Sequence, residues 1–252
     1  MKRLTSLLLL CGLFSGVSQA ATILYDQDFE NPVGFVNDAA DINIFRQVNE
    51  LYGNQPAGFS FAQQFTVETL LITGSSAFGT GYSDPAGSGG NYALGMLSTG
   101  QNDLLGLSFN IGSNDFLNMR LDVSSIDLSA FGGPFVPQGA VPRFQFTLYD
   151  NPTGVNGLGT GAILSQIEGL GTASPRSVFE WTELLLAMDA AGNTNGNVTL
   201  RIDLLDGGYA ALDNIRIAAS DIAGDVGDPL PLPSSLLLLG LGLLGLRLRS
   251  RR

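Results

Sequence analysis

The chain has 252 residues, with 12 Lys and Arg against 23 Asp and Glu, one cysteine and no histidine, giving a net charge of −11. Without histidine neither a Ser-His-Asp nor a Cys-His nucleophile system can be assembled, and zinc would be left with carboxylates alone, against its preference for nitrogen and sulfur, whereas oxygen-seeking cations such as Ca²⁺ suit the inventory. So acidic a surface repels nucleic acid and anionic lipid, which excludes both as partners.

The chain opens on a secretory leader, residues 1–20. Lys2 and Arg3 form a basic start, residues 7–17 an apolar stretch, and Ser18-Gln19-Ala20 places small residues where a signal peptidase reads. Cleavage is expected between Ala20 and Ala21. It removes Cys11, so disulfides play no part in the mature chain. The leader takes Lys2 and Arg3 with it, and a terminal cluster holds four more arginines. The body between keeps Arg46, Arg120, Arg143, Arg176, Arg201 and Arg216 against all 23 acids, a net charge of −17.

Short alternating segments fill the body, residues 21–221. Val198, Leu200, Ile202 and Leu204 alternate with Thr199, Arg201 and Asp203, and Phe144, Phe146 and Leu148 alternate with Arg143, Gln145, Thr147 and Tyr149; each is the period of a half-buried strand. Further strands are expected at 22–29, 58–67, 91–97, 104–110, 116–123, 178–188 and 209–217. Asn195-Gly196 and Asp206-Gly207-Gly208 supply tight turns between neighbours. No long amphipathic helix is visible. The expected fold is therefore all-β, one antiparallel β-sandwich of jelly-roll type. Glycine-rich residues 73–90 and 153–161 read as mobile contact loops, and residues 222–229, with Gly224 and Gly227, as a linker.

The last strand contains an anomaly. Under period 2, Tyr209, Ala211, Ile215 and Ile217 share one apolar face, and Asp213 falls on it. A carboxylate turned toward a core is costly unless neutralised or coordinated. Asp26, Asp28 and Glu30 stand at the end of the first strand, and in a jelly roll the first and last strands often lie together. Here the chain resembles carbohydrate-binding jelly rolls and similar extracellular adhesive sandwiches, through Tyr25-Asp26-Gln27-Asp28-Phe29-Glu30, Gly89-Gly90-Asn91-Tyr92-Ala93-Leu94 and Leu212-Asp213-Asn214-Ile215. The resemblance implies a structural Ca²⁺ between opening and closing strands, with Glu30 and Asp213 as ligands and Asp28 next. It also implies a polysaccharide partner, with aromatic rings stacking on sugar faces. Trp181 reads more readily as core than as platform; Tyr52, Tyr82, Tyr92 and Tyr149 are further candidates that nothing ranks, so the residues touching a ligand stay unknown. A retaining glycosidase needs two carboxylates about 5 Å apart. The Glu-x-Asp-x-x-Glu strand motif that supplies them on related sandwiches is missing, and Glu180 and Glu183 would point to opposite faces of a strand. The body is therefore read as non-catalytic.

Residues 230–252 close the chain in three steps: Pro231-Leu232-Pro233, which bars a helix, a charge-free apolar run to Leu246, and Arg247, Arg249, Arg251 and Arg252. Counted from Leu230 the apolar stretch spans 17 residues, roughly 25 Å of helix against a bilayer core of about 30 Å. Terminal arginines after such a run stay in the cytoplasm. This tail resembles the PEP-CTERM sorting signal of Gram-negative bacteria, with Leu232 where the middle Glu stands. The resemblance implies processing at the Pro-x-Pro region by an exosortase, after a transient stay in the inner membrane. The expected destination is the cell surface or extracellular matrix, where the body binds polysaccharide or serves as a structural matrix component. The rival reading is a secreted glycan-cleaving enzyme whose carboxylate pair is hidden at sequence spacing.

Overall fold

Alternation decides which face of each strand turns inward, and the computed structural model follows it closely. It describes residues 20–36, 42–43, 47–53, 61–65, 67–72, 83–98, 102–126 and 139–228. The expected leader up to residue 19, the tail with Pro231, Leu232, Pro233 and its arginines, and Tyr82 lie outside the described residues.

The strands are β1 (Thr22–Gln27), β2 (Ile42–Asn43), β3 (Phe61–Gln63), β4 (Glu68–Leu71), β5 (Tyr92–Leu97), β6 (Leu104–Asn110), β7 (Phe116–Ser125), β8 (Arg143–Asp150), β9 (Ile163–Leu170), β10 (Thr182–Asp189), β11 (Asn197–Asp206) and β12 (Tyr209–Ser220), with one helical turn, α1 (Val48–Leu51). They form two antiparallel sheets. Sheet A runs β10-β7-β12-β5-β4-β2, with β1 also on β12; sheet B runs β3-β6-β11-β8-β9. No described helix is long and apolar enough to cross a membrane.

The sandwich core lies between the sheets. Val198, Leu200, Ile202 and Leu204 of β11 and Phe144, Phe146 and Leu148 of β8 pack with Leu117, Met119, Leu121 and Val123 of β7 and with Ile215 and Ile217 of β12. Burial of such side chains contributes roughly 1.5–3 kcal/mol each. A second, smaller cluster sits on the far face of sheet A, built from Leu70, Ile72, Ala93, Ile126, Phe179, Tyr209 and Ala211, with Trp181 against it.

That second cluster changes two expectations. The segment expected as strand from residue 178 becomes one only at Thr182. Ser177 has φ +61°, and Ser124 and Ser125 hold the preceding chain, accepting Glu180 N–H at 3.0 Å and Ser174 N–H at 2.7 Å. Phe179 and Trp181 therefore stack on each other, centroids 5.7 Å apart, over sheet A. In β12 the ladder to β7 slips between Asp213 and Arg216. This bulge rephases the strand: Leu212 and Ile215, three apart, both enter the main core, while Tyr209 and Ala211 belong to the second cluster. The single apolar face expected for Tyr209, Ala211, Ile215 and Ile217 is thus two faces.

Two glycine-rich segments are also docked. Residues 153–161 lie on sheet B, where Gly159 leaves no room for a Cβ beside the Tyr149 ring and Gly106 none beside the Gly157 carbonyl. Residues 222–228, expected as linker, run back along sheet A as a strap. Arg216 Nε and Nη2 donate to the carbonyls of Val226 and Gly227 at 2.9 and 3.1 Å, and Asn118 Nδ2 to those of Ile222 and Asp225 at 2.9 and 3.0 Å.

Candidate functional site

β1 and β5 share one side of β12. β5 pairs with it up to Leu212, and β1 takes over from Ile215. In the gap stands Asp213, 1% exposed. Its Oδ1 accepts the Asn214 N–H at 2.7 Å, while its buried Oδ2 has no hydrogen-bond partner among the described residues. Burial above all pushes this carboxyl up to about 9, and the negative charges of Glu30, Asp122 and Asp28 add to the rise. The three ligand residues expected from sequence are therefore brought within electrostatic reach of one another.

They are held differently. Glu30 crosses to the start of β5, where Oε1 accepts Asn91 N–H at 2.6 Å and Tyr92 N–H at 3.0 Å, and Oε2 accepts Asn91 Nδ2 at 2.8 Å. Asp28 is exposed and caps the turn, accepting Glu30 N–H at 3.2 Å. Phe29 and Asn214, beside these acids, have φ of +55° and +49°. Such strain persists in a non-glycine residue only where the surroundings enforce it.

The donor set fits a hard cation in kind, being all oxygen, with one buried carboxylate oxygen left over. Glu30, Asp213 and Asp28 are the residues that would hold it, and its charge would let them ionise side by side. Among the described residues, however, no three acids close around a single point at metal-binding distance.

On the outer face of sheet A this region opens into a cleft of about 440 Å³, lined by Asp26, Gln27 and Asp28 of the β1 end, Arg120 and Asp122 of β7, Glu183 of β10, and Asn214 and Arg216 of β12. Asn214 Nδ2 ties it together, donating to Asp122 Oδ2 at 2.8 Å and to the Ser88 carbonyl at 2.9 Å. Arg216 donates to Asp26 Oδ2 at 3.2 Å and Arg120 to Asp228 Oδ2 at 2.7 Å. Asp122 stands directly opposite Glu183 in the β7–β10 ladder. Asp122 was missed from sequence as a site residue, although the alternation of Asn118, Arg120 and Asp122 with Leu117, Met119 and Leu121 does mark it as facing away from the core.

The aromatic candidates fare otherwise. Tyr52 and Tyr149 are buried; Arg201 lies 5.0 Å over the Tyr149 ring. Tyr92 meets Phe35 edge-on, and Trp181 is half-buried against Phe179. None of these four offers an exposed platform. A second pocket, about 390 Å³, lies under the 151–161 loop between Asp150, Asn151 and Thr199.

No family model matches the sequence and no curated protein matches it either. Solved structures resemble it at low identity. The CBM22-1 xylan-binding domain of Paenibacillus barcinonensis Xyn10C is 13% identical, over 82% of this chain and 99% of that one, with a TM-score of 0.40. A cyclase from Fischerella sp. TAU is 14% identical, over 80% and 98%, TM-score 0.46. The cleaved adhesin domain of Lys-gingipain from Porphyromonas gingivalis is 14% identical, over 78% and 98%, TM-score 0.38. Likenesses of this size say nothing of what the present chain binds.

Proposed function

We propose that this chain is an exported, non-catalytic β-sandwich that binds polysaccharide, with Glu30, Asp213 and Asp28 holding a structural Ca²⁺. One observation carries the binding reading: a cleft that sets four carboxylates, two amides and two guanidinium groups side by side on a sheet. A sugar chain is dense in hydroxyls that both donate and accept, and such mixed lining meets them in both roles. Retention on a panel of immobilised polysaccharides tests it. The wild type should bind at least one, and Glu183→Arg, which fills the cleft, should lose it by about tenfold or more. Failure to bind any polysaccharide, with or without calcium, overturns the reading.

The Asp122–Glu183 pair favours a second reading. Residues directly opposite in an antiparallel ladder have Cβ atoms about 4.5–5.5 Å apart, which is near the spacing of the two carboxyls in a retaining glycosidase. Release of reducing ends from a bound polysaccharide, abolished in Glu183→Gln, would establish cleavage; binding without release leaves the chain a binder.

The tail gives the address. Pro231, Leu232 and Pro233, the apolar run and the terminal arginines support transient anchoring in the inner membrane and processing by an exosortase on the way to the surface or matrix. The exported protein should then lack these residues by mass, and the double variant Pro231→Ala with Pro233→Ala should keep them. An exported wild-type chain of unaltered C-terminal mass would leave a plain anchor.

A further inference from the structure

We infer that, while the tail holds the chain in the inner membrane, the outer face of sheet A lies against the lipid surface, so that its cleft is closed to polymer until the tail is removed. This rests on the anchoring read above from the tail, and not on what the cleft binds. The strap fixes where the body hands over to the tail. Asn118 and Arg216 bond it along the sheet, and its last described residue, Asp228, meets Arg120 at 2.7 Å. Arg120 stands near the middle of β7 (Phe116–Ser125), in a row that crosses four strands through Asp26, Arg216, Arg120 and Leu185. The exit therefore lies over the sheet at mid-strand and not at an end of the sandwich. Asp26, Arg120 and Arg216 of that row also line the cleft.

Chain length then decides the orientation. Leu230, where the apolar run begins, is two residues beyond Asp228, and two extended residues reach about 7 Å at most. Arg120 is four residues from one end of β7 and five from the other, about 13 and 17 Å at roughly 3.3 Å per residue. A sandwich standing on either end would hold the exit farther from the bilayer than that link can reach. The tail cannot lend residues, because even counted from Leu230 its 17 residues make roughly 25 Å of helix against a core of about 30 Å. The same face carries large apolar side chains left exposed, Ile23, Leu185 and Ile222. Ile222 belongs to the strap, Ile23 lies beside Gly227 and Leu185 beside Gly224. Apolar groups gathered on one exposed face suit a lipid contact. Ile23 of β1 and Leu185 of β10 flank the strap on either side, so both meet lipid only when the face lies flat. Charge does not draw it there, since a body of net charge −17 repels anionic lipid; the covalent link and these side chains hold it.

Polymer access in a bilayer supplies the test. The chain from Ala21 to Arg252, which has no cysteine, is reconstituted in phosphatidylcholine vesicles and recovered by flotation. A maleimide-ended polyethylene glycol stands in for a polymer. Single cysteines report its reach: Glu183→Cys in the cleft, and Gln166→Cys, exposed on β9 of sheet B. A matched chain carries about twelve Gly and Ser residues inserted after Asp228, roughly 19 Å of added reach. Glu183→Cys is expected to react about tenfold or more slowly in the native spacing than with the insertion, and Gln166→Cys at the same rate in both. Leu185→Cys, bearing an environment-sensitive dye, is the second readout should Glu183→Cys fail to fold. Its emission should shift to the blue in the native spacing and return with the insertion. Equal rates at Glu183→Cys with and without the insertion, in chains that float, overturn the proposal and leave the anchoring reading standing. Equal slowing at Gln166→Cys overturns it as well, since that marks crowding and not orientation. Chains that fail to float overturn both.

Discussion

Glu30 is positioned by a residue that has no side chain. Gly90 holds φ +55°, and a Cβ placed on it would run into the Glu30 carboxylate. Both facts serve one arrangement, in which the chain comes close enough for Asn91 and Tyr92 to donate their N–H groups to that carboxylate. Gly90→Ala should therefore cost about 1–3 kcal/mol for the left-handed backbone, and more for the displaced carboxylate. Gly112 is an internal control: it has φ +63° and nothing within 4 Å of its ideal Cβ, so Gly112→Ala carries only the backbone penalty. Thermal melts of the two variants should separate by several degrees, with Gly90→Ala lower. If Glu30 helps hold an ion, the calcium-induced rise in melting point should shrink in Gly90→Ala and survive in Gly112→Ala; equal rises would remove Glu30 from the ligand set.

The strap shows how a few polar groups turn a glycine-bearing segment into a fixed element. Asn118 is fully buried in β7, and besides donating to two strap carbonyls its Oδ1 accepts the Gly224 N–H at 2.7 Å. Asn118→Ala should remove all three bonds and leave strap groups unpaired, at about 1–3 kcal/mol. Hydrogen exchange should rise first over 222–228 and little in β8 or β11; a uniform rise would mean that strap and sheets open as one. Glycine content suggested a flexible linker because the partner, Asn118, lies more than a hundred residues away and leaves no local mark. The same distinction runs through the fold. β8 and β11 were legible because their large apolar residues alternate along the sequence onto the core face, even though Thr147, Tyr149 and Thr199 between them are buried as well. β12 was legible as a strand but not in phase, since the bulge at Asp213 depends on its β7 partner. Phe179 and Trp181 misled because their apolar character serves a second cluster that only tertiary packing creates. Of the site, Asp213 could be singled out as a carboxylate on an apolar face, whereas Glu30 and Asp28 were reached through the resemblance to carbohydrate-binding jelly rolls. The Asp122–Glu183 pairing is a matter of register between strands 61 positions apart, and no spacing along the chain encodes it.

The whole molecule should respond to acid in an unusual direction. Glu68 of β4 and Asp103, just before β6, are both buried. Burial chiefly raises Glu68 from 4.5 to about 7, and the Asp103 charge adds to this, while the Tyr209 hydroxyl, donating to Glu68 Oε2, opposes it. Burial likewise raises Asp103 from 3.8 to about 6 against the pull of the Leu97 N–H, 2.8 Å from its Oδ2. Folded values above unfolded ones mean that the native state binds more protons. Their stabilisation is fully present below about pH 4 and is lost as pH climbs through 6 and 7, together on the order of a few kcal/mol. Self-repulsion in a body of net charge −17 acts in the same sense, since protonation relieves it. Asp150 acts in the other. The Thr194 hydroxyl at 2.5 Å and its N–H at 2.9 Å hold that carboxyl below its usual range, so its contribution is present above about pH 4 and fades as pH falls further. Melting in chelator, which removes any cation term, should therefore show a midpoint that rises from pH 8 to about pH 5 and turns over below about pH 4. Glu68→Gln keeps an acceptor for the Tyr209 hydroxyl and removes one titration, so it should make the upper limb shallower and gain on wild type at pH 8, while Asp213, pushed up to about 9 by burial, keeps the rest of the slope. A midpoint that instead climbs with pH between 5 and 8, or a Glu68→Gln curve parallel to wild type, would show that burial of these two carboxyls does not set the acid response of the fold.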